Sequence, residues 1–116
     1  MNILVPTTIA RYIFAVVLSV FGLFHFMNAD AMTAMIPSWL PGGVVWVYIT
    51  GAAILAFTVA FILNKKARLA GYLMASFLII LVILVHIPAG EDGMPMVLKD
   101  LALAMGAIAF ANGVED

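Results

Sequence analysis

Phe77-Leu78-Ile79-Ile80-Leu81-Val82-Ile83-Leu84-Val85 is apolar at every position. A strand of a membrane barrel alternates polar and apolar residues over about 10 positions, and this stretch shows no alternation. A continuous apolar run predicts a helix, whose backbone N–H and C=O groups are satisfied within the segment itself. Working outward, the apolar character extends from Leu69 to Ile87, where Pro88 stops it. That length approaches the about 20 residues needed to cross a bilayer.

Three further segments read the same way. The first covers residues 6–27, with Pro6 suited to the first helical position, where its missing N–H costs nothing. The second covers 44–63, opened by Pro41-Gly42-Gly43 and closed by Asn64-Lys65-Lys66. The fourth covers 96–113, following Pro95 and ending at the helix-stop pair Asn112-Gly113. The expectation is an all-α fold, an integral membrane four-helix bundle forming one domain over residues 1–116.

Composition agrees. Of 116 residues, 66% are hydrophobic and 9% charged, with a mean hydropathy of +1.23. Soluble domains are about 45–50% apolar and about 25% charged, so this chain lacks the polar surface of a dissolved monomer. Intrinsic disorder is excluded by the same figures. The four spans leave only short ends and connections, with no room for a soluble catalytic domain. No basic run with interleaved aromatics is present, so no nucleic-acid partner is expected. The absence of cysteine removes disulfides, thiol redox chemistry and iron–sulfur clusters.

Basic residues predict the orientation. With a cytoplasmic N-terminus, Arg11, Lys65, Lys66 and Arg68 lie inside and Lys99 lies outside, the asymmetry of the positive-inside rule. Glu115 and Asp116 then fall inside as well. Trp39, Trp46 and Tyr48 mark the outer interface, Tyr12 and Tyr72 the inner one. The expected topology is N-in, C-in. Ala29-Asp30-Ala31 has the form of a signal-peptidase site, but the residues before Arg11 carry no basic side chain, so cleavage is not expected.

Close approach through small residues drives much of helix association in lipid. At about 100° per residue, Ala15, Ser19 and Gly22 share a stripe on the first helix, and Ala53, Ala56 and Ala60 on the second. Gly71, Ala75, Val82 and His86 align on the third. The fourth carries Asp100, Ala104, Ala107 and Ala111 on one side, and Ala102, Gly106, Ala109 and Gly113 nearly opposite. Compact packing explains these stripes, and the second face of the fourth helix also suits a homo-oligomer.

Ionisable residues inside spans are costly and usually functional. The middle of each span has none, only Ser19, Thr50, Thr58 and Ser76. Such hydroxyls can bond back to their own helix carbonyls. The ion-free centre counts against coupled transport. The ionisable groups gather at one end: His25 closes the first span, His86 the third, and Lys99 with Asp100 opens the fourth. Asp100 is favoured by the helix dipole, whereas Lys99 is not, so Lys99 calls for an acidic neighbour or an anionic ligand. His86 shares the small-residue stripe and is expected to face inward. His25 lies about 60° off its own stripe.

Three roles are open to this cluster. It can be a structural hydrogen-bonded network. It can line a pocket for a small molecule or quinone headgroup, with His25 and His86 donating to carbonyl oxygens. Or two histidines and one carboxylate can bind metal, although no local spacing motif supports that. The outer loop, residues 28–43, is read as a short interfacial helix, with Asp30 as N-cap and Met35 at its end. Met27, Met32, Met35 and Trp39 supply its apolar side, either lying in the interface or acting as a lid.

Several motifs together resemble the DoxX family of small four-span membrane proteins. They are Gly22-Leu23-Phe24-His25-Phe26, Ile36-Pro37 through Leu40-Pro41, Tyr48-Ile49-Thr50-Gly51, Ala67-Arg68-Leu69-Ala70 and Leu98-Lys99-Asp100-Leu101. Their order and spacing extend from about Arg11 to Ala111. The resemblance implies a multi-pass protein of the prokaryotic inner (cytoplasmic) membrane. It also implies a link to membrane redox complexes, which in that family include a thiosulfate:quinone oxidoreductase subunit. His25 and Lys99 are the matching motif positions among the candidate residues. One position departs: Ile54 stands where relatives often carry a glutamate in the second span, so chemistry relying on that carboxylate is not expected.

The resulting expectation is a non-catalytic subunit of a quinone-linked complex, with His25, His86, Lys99 and Asp100 as ligand-binding residues. Its partners would be the bilayer and a membrane redox protein. A small oligomeric transporter or channel and a structural assembly factor are the alternatives.

Overall fold

The computed structural model describes residues 4–114; Glu115 and Asp116, expected on the inner side, lie outside the described residues. All regular structure among the described residues is helical. It comprises α1 (Thr7–Met27), the short α2 (Ala29–Thr33), α3 (Val44–Leu63), α4 (Ala67–Leu81) and α5 (Met94–Asn112). A π-helical turn, Val82–His86, extends α4, and a 3₁₀ turn, Gly90–Gly93, leads into α5. With these extensions, the four segments Thr7–Met27, Val44–Leu63, Ala67–His86 and Gly90–Asn112 are long and apolar enough to cross a membrane.

Several helix ends differ from the sequence reading, each for a local reason. Pro6 adopts an extended conformation (φ −61°, ψ 147°) and its carbonyl accepts the first helical bond, from Ala10 N–H at 3.1 Å. It is therefore the N-cap, one position ahead of the expected site. Asn28, not Asp30, caps α2, which ends at Thr33; Asp30 sits in the first turn, where its charge suits the helix dipole. Helix α4 starts at Ala67, ahead of Leu69, and α5 at Met94, with Pro95 in its first turn. Asn64 closes α3 in the left-handed region (φ 53°), and Lys65 N–H returns to the Ala60 carbonyl at 3.1 Å. That is a Schellman closure, and asparagine tolerates its conformation well.

The long helices pack as two antiparallel pairs. In the first, Gly22 and Gly51 bring α1 and α3 together: a Cβ on Gly51 would stand 2.9 Å from the His25 Cβ and 3.0 Å from the Gly22 carbonyl. In the second, a Cβ on Gly71 would meet the Ala111 Cβ at 2.5 Å. Here the stripe Gly71, Ala75, Val82, His86 faces Asp100, Ala104, Ala107, Ala111, and all eight are buried. The other face of α5 is mostly exposed, with Gly106 half-buried under Phe14.

Helix α3 does not bury its alanine stripe. Its inward face is Val47, Gly51, Ile54, Phe57, Thr58 and Phe61, because the core needs the aromatic volume. Phe57 and Phe61 pack at 4.3 Å between ring centroids, and Phe14 and Phe110 at 5.1 Å. Ala53 and Ala56 instead line a shallow groove against α4. The aromatic cluster fills one half of the interior, and the opposite half holds a cavity.

Candidate functional site

The cavity has a volume of about 230 Å³. Leu18, Ile54, Met74, Leu78 and Leu103 form an apolar floor where it meets the core. His25, His86, Lys99 and Asp100 all line this one cavity, joined by Thr50. The four candidate residues, from three helices, thus reach one cavity.

His86 owes its position to the end of α4. There the ladder widens, with Ile87 N–H donating to the Val82 carbonyl at 2.9 Å in the π-helical pattern. Such turns are often found at functional sites. The chain then closes tightly over the turn: a Cβ on Gly93 would lie 2.0 Å from the His86 carbonyl oxygen. Only glycine fits there without moving backbone. This contact holds the end of α4 to the start of α5.

The Nε2 atom of His86 lies 3.1 Å from Oδ2 of Asp100, with the side chains 10% and 4% exposed. The other Asp100 oxygen, Oδ1, is 3.4 Å from Lys99 Nζ. Lys99 thus has an acidic neighbour, the next residue, although α5 starts at Met94 and neither residue lies in the first turn, where the helix dipole acts. The Lys99 ammonium also lies 5.3 Å from the centroid of the Phe21 ring, a cation–π contact between α5 and α1 that no pattern within either helix foretells. Asp100 is thus paired on both oxygens, as burial of a carboxylate requires.

His25 is half-buried, at the end of α1, and its Nδ1 lies 2.7 Å from the Phe21 carbonyl oxygen. A carbonyl only accepts, so Nδ1 carries the hydrogen. Thr50, nearly two turns into α3, donates its hydroxyl to the Trp46 carbonyl at 2.8 Å. Its back-bonding was foreseen; its place on the cavity wall was not. These commitments alter the expected hydrogen bonding. A neutral imidazole has one ring hydrogen, and in both histidines that hydrogen faces a protein acceptor. In that form each ring turns a lone pair, and not a hydrogen, toward any further partner.

Among the described residues, no three His, Asp or Glu side chains converge on a metal-sized site. Helix α2 and the turn after it reach the cavity: Met32, Met35 and Ile36 line it. Met27 and Trp39, expected on the same apolar side, instead point outward, 74% and 63% exposed. At the opposite end of the molecule, Arg68 donates from Nε to the Ala111 carbonyl at 3.4 Å and from Nη2 to that of Val114. Tyr72 donates its hydroxyl to Asn112 Oδ1 at 2.6 Å. The Ala67–Ala70 motif therefore fastens the end of α5 and takes no part in the cavity.

The chain belongs to the family described as a domain of unknown function, DUF8561, which matches residues 14–109. Comparison with curated proteins and with solved structures returned no match.

Proposed function

We propose that this DUF8561 member is a non-catalytic, DoxX-like subunit of a quinone-linked complex in a prokaryotic inner membrane, with both termini cytoplasmic. The observation that carries the proposal is the cavity, which is mostly apolar and is also lined by His25, Thr50, His86, Lys99 and Asp100. Ligand sites commonly combine apolar walls with a few polar groups that fix orientation. An engineered cavity of about 150 Å³ holds benzene. A volume of about 230 Å³ therefore suits a single substituted ring, and not a drug-sized molecule. The residues present fit the headgroup of a benzoquinone-type carrier.

In this reading the bound ring supplies the electron chemistry and the chain supplies position and an apolar surround. Four basic residues at one membrane face against Lys99 at the other support the orientation, which places the cavity at the outer side. The DoxX-like motifs support the redox setting.

The test is ligand-dependent thermal stabilisation of the purified full chain. A short-chain ubiquinone analogue or its reduced form should raise the melting temperature. Leu78→Trp, which fills the floor, should abolish the shift while the chain stays helical. A wild-type chain stabilised by neither form refutes the proposal.

A further inference from the structure

The hydrogens on the cavity wall are already spoken for, and this determines what kind of ring the wall can recognise. Thr50 spends its hydroxyl hydrogen on the Trp46 carbonyl. His25 spends its Nδ1 hydrogen on the Phe21 carbonyl. His86 directs Nε2 to one Asp100 oxygen, and Lys99 faces the other. In the neutral ring the single hydrogen faces the carboxylate from Nε2, and Nδ1 carries a lone pair. Among the described residues, neither His25 Nε2 nor His86 Nδ1 makes a hydrogen bond. The uncharged polar groups of the wall therefore present lone pairs. The remaining donor is Lys99, at the exposed edge and drawn toward Asp100 and Phe21.

We infer that the cavity takes a neutral single ring bearing donor hydroxyls, of the phenol or hydroquinone class, in preference to the oxidised, carbonyl-only ring. This rests on the ring-binding reading proposed above. A hydroxyl meets an imidazole or threonine lone pair with a hydrogen bond. A quinone oxygen in the same place meets lone pair with lone pair, and loses its water without replacement. Sites with fixed hydrogen-bonding partners discriminate strongly against analogues that cannot supply the complementary group. The two histidines on the wall then distinguish the reduced from the oxidised form of one carrier by hydrogen bonding alone, with no redox step of their own.

The experiment is calorimetric binding to the purified full chain under anaerobic conditions. Its probes are tetramethylhydroquinone, tetramethylquinone and the dimethyl ether of the hydroquinone, which share one ring and differ in their donors. The hydroquinone should bind at least about tenfold more tightly than either other probe, the weight of one or two hydrogen bonds. H25F, at a half-buried position outside the Asp100 pairing, should narrow that preference by weakening the hydroquinone alone. Equal binding of the three, or tighter quinone binding, overturns the inference and leaves the ring-binding reading standing. Binding of none overturns both. An unchanged preference in both H25F and H86F also overturns it, because the lone pairs would then not be the source. The wild-type comparison decides the matter even where a variant fails to fold.

Discussion

His86 Nε2 and Asp100 Oδ2, 3.1 Å apart, tie the widened turn that extends α4 to the second turn of α5. Asp100 also holds Lys99, so one carboxylate organises the charged part of the cavity wall. Removing one member of a buried ionic set leaves the others uncompensated, at a cost of about 3–5 kcal/mol. Asp100→Ala should therefore lower stability by about 3 kcal/mol on that scale. Asp100→Asn retains an acceptor for His86 and should cost nearer about 1 kcal/mol, the weight of a hydrogen bond. Denaturation of the two variants in one detergent measures the order. If alanine is tolerated as well as asparagine, the carboxylate does not organise this wall.

Gly93 sets the same junction from the backbone side. A Cβ there would lie 2.0 Å from the His86 carbonyl oxygen, and backbone cannot swing aside as a flexible side chain can. Gly93→Ala should cost about 2–3 kcal/mol by overpacking and should also weaken ring binding, because it displaces His86. Gly90 provides the control. Its φ of +72° penalises alanine, but a Cβ would meet nothing within 4 Å. Gly90→Ala should cost about 1–2 kcal/mol through backbone strain alone and leave binding intact. Melting temperatures and binding constants for the two variants separate these effects.

At the opposite end, Arg68 reaches the carbonyls of Ala111 and Val114. A cation near a helix C-terminus contributes about 0.3–1 kcal/mol, and its hydrogen bonds satisfy carbonyls the helix leaves open. The helix ends at Asn112 with Gly113 as its C-cap, as the sequence pair suggests, but Gly113 has φ −89° and so makes no left-handed closure. Arg68 takes over the work of closing it. Arg68→Ala should speed amide exchange across the last turn of α5 by roughly fivefold, about 1 kcal/mol of local stability. Arg68→Lys should recover only part, since lysine keeps the charge and loses the planar fork. Exchange in the first turn of α5 should not change in either variant.

What was legible in the sequence follows from what determines it. Apolar runs and helical period suffice to mark the long helices, and to align Gly71 through His86 with one face and Asp100 through Ala111 with another. They fail for α3, where composition favours the alanines Ala53, Ala56 and Ala60 but the interior has to be filled by Phe57 and Phe61. The choice between small and bulky faces depends on the volume left by neighbouring helices, which no single helix encodes. The π-helical turn at Val82–His86 is hidden for a related reason: it is fixed by Gly93 and Asp100, which come from the following elements. Bringing His25, His86, Lys99 and Asp100 to one cavity needed only topology. The direction of their hydrogen bonds needed the Phe21 carbonyl and the Asp100 carboxylate in place.

Helix α2 and the turn after it contribute three apolar side chains to the cavity. Met32, Met35 and Ile36 line the cavity from a stretch held by turn hydrogen bonds, Met35 N–H to Met32 and Ile36 N–H to Thr33, each at 3.0 Å. Trp46 steadies the far end of the loop by donating Nε1–H to the Pro41 carbonyl. Methionine is flexible and tolerant in packing, which suits a cover that must move aside. Truncating Met32 or Met35 to alanine removes about 1 kcal/mol of contact with a bound ring, by the apolar area lost. Affinity changes within one site fall mainly on dissociation. Each variant should therefore release a bound hydroquinone roughly fivefold faster at a nearly unchanged association rate, by the same conversion. Stopped-flow tryptophan fluorescence, with Trp46 as the nearby reporter, follows both rates. Faster association without faster release would show that these methionines obstruct entry and do not hold the ring. Unchanged rates in the double variant would mean that the loop is not the cover.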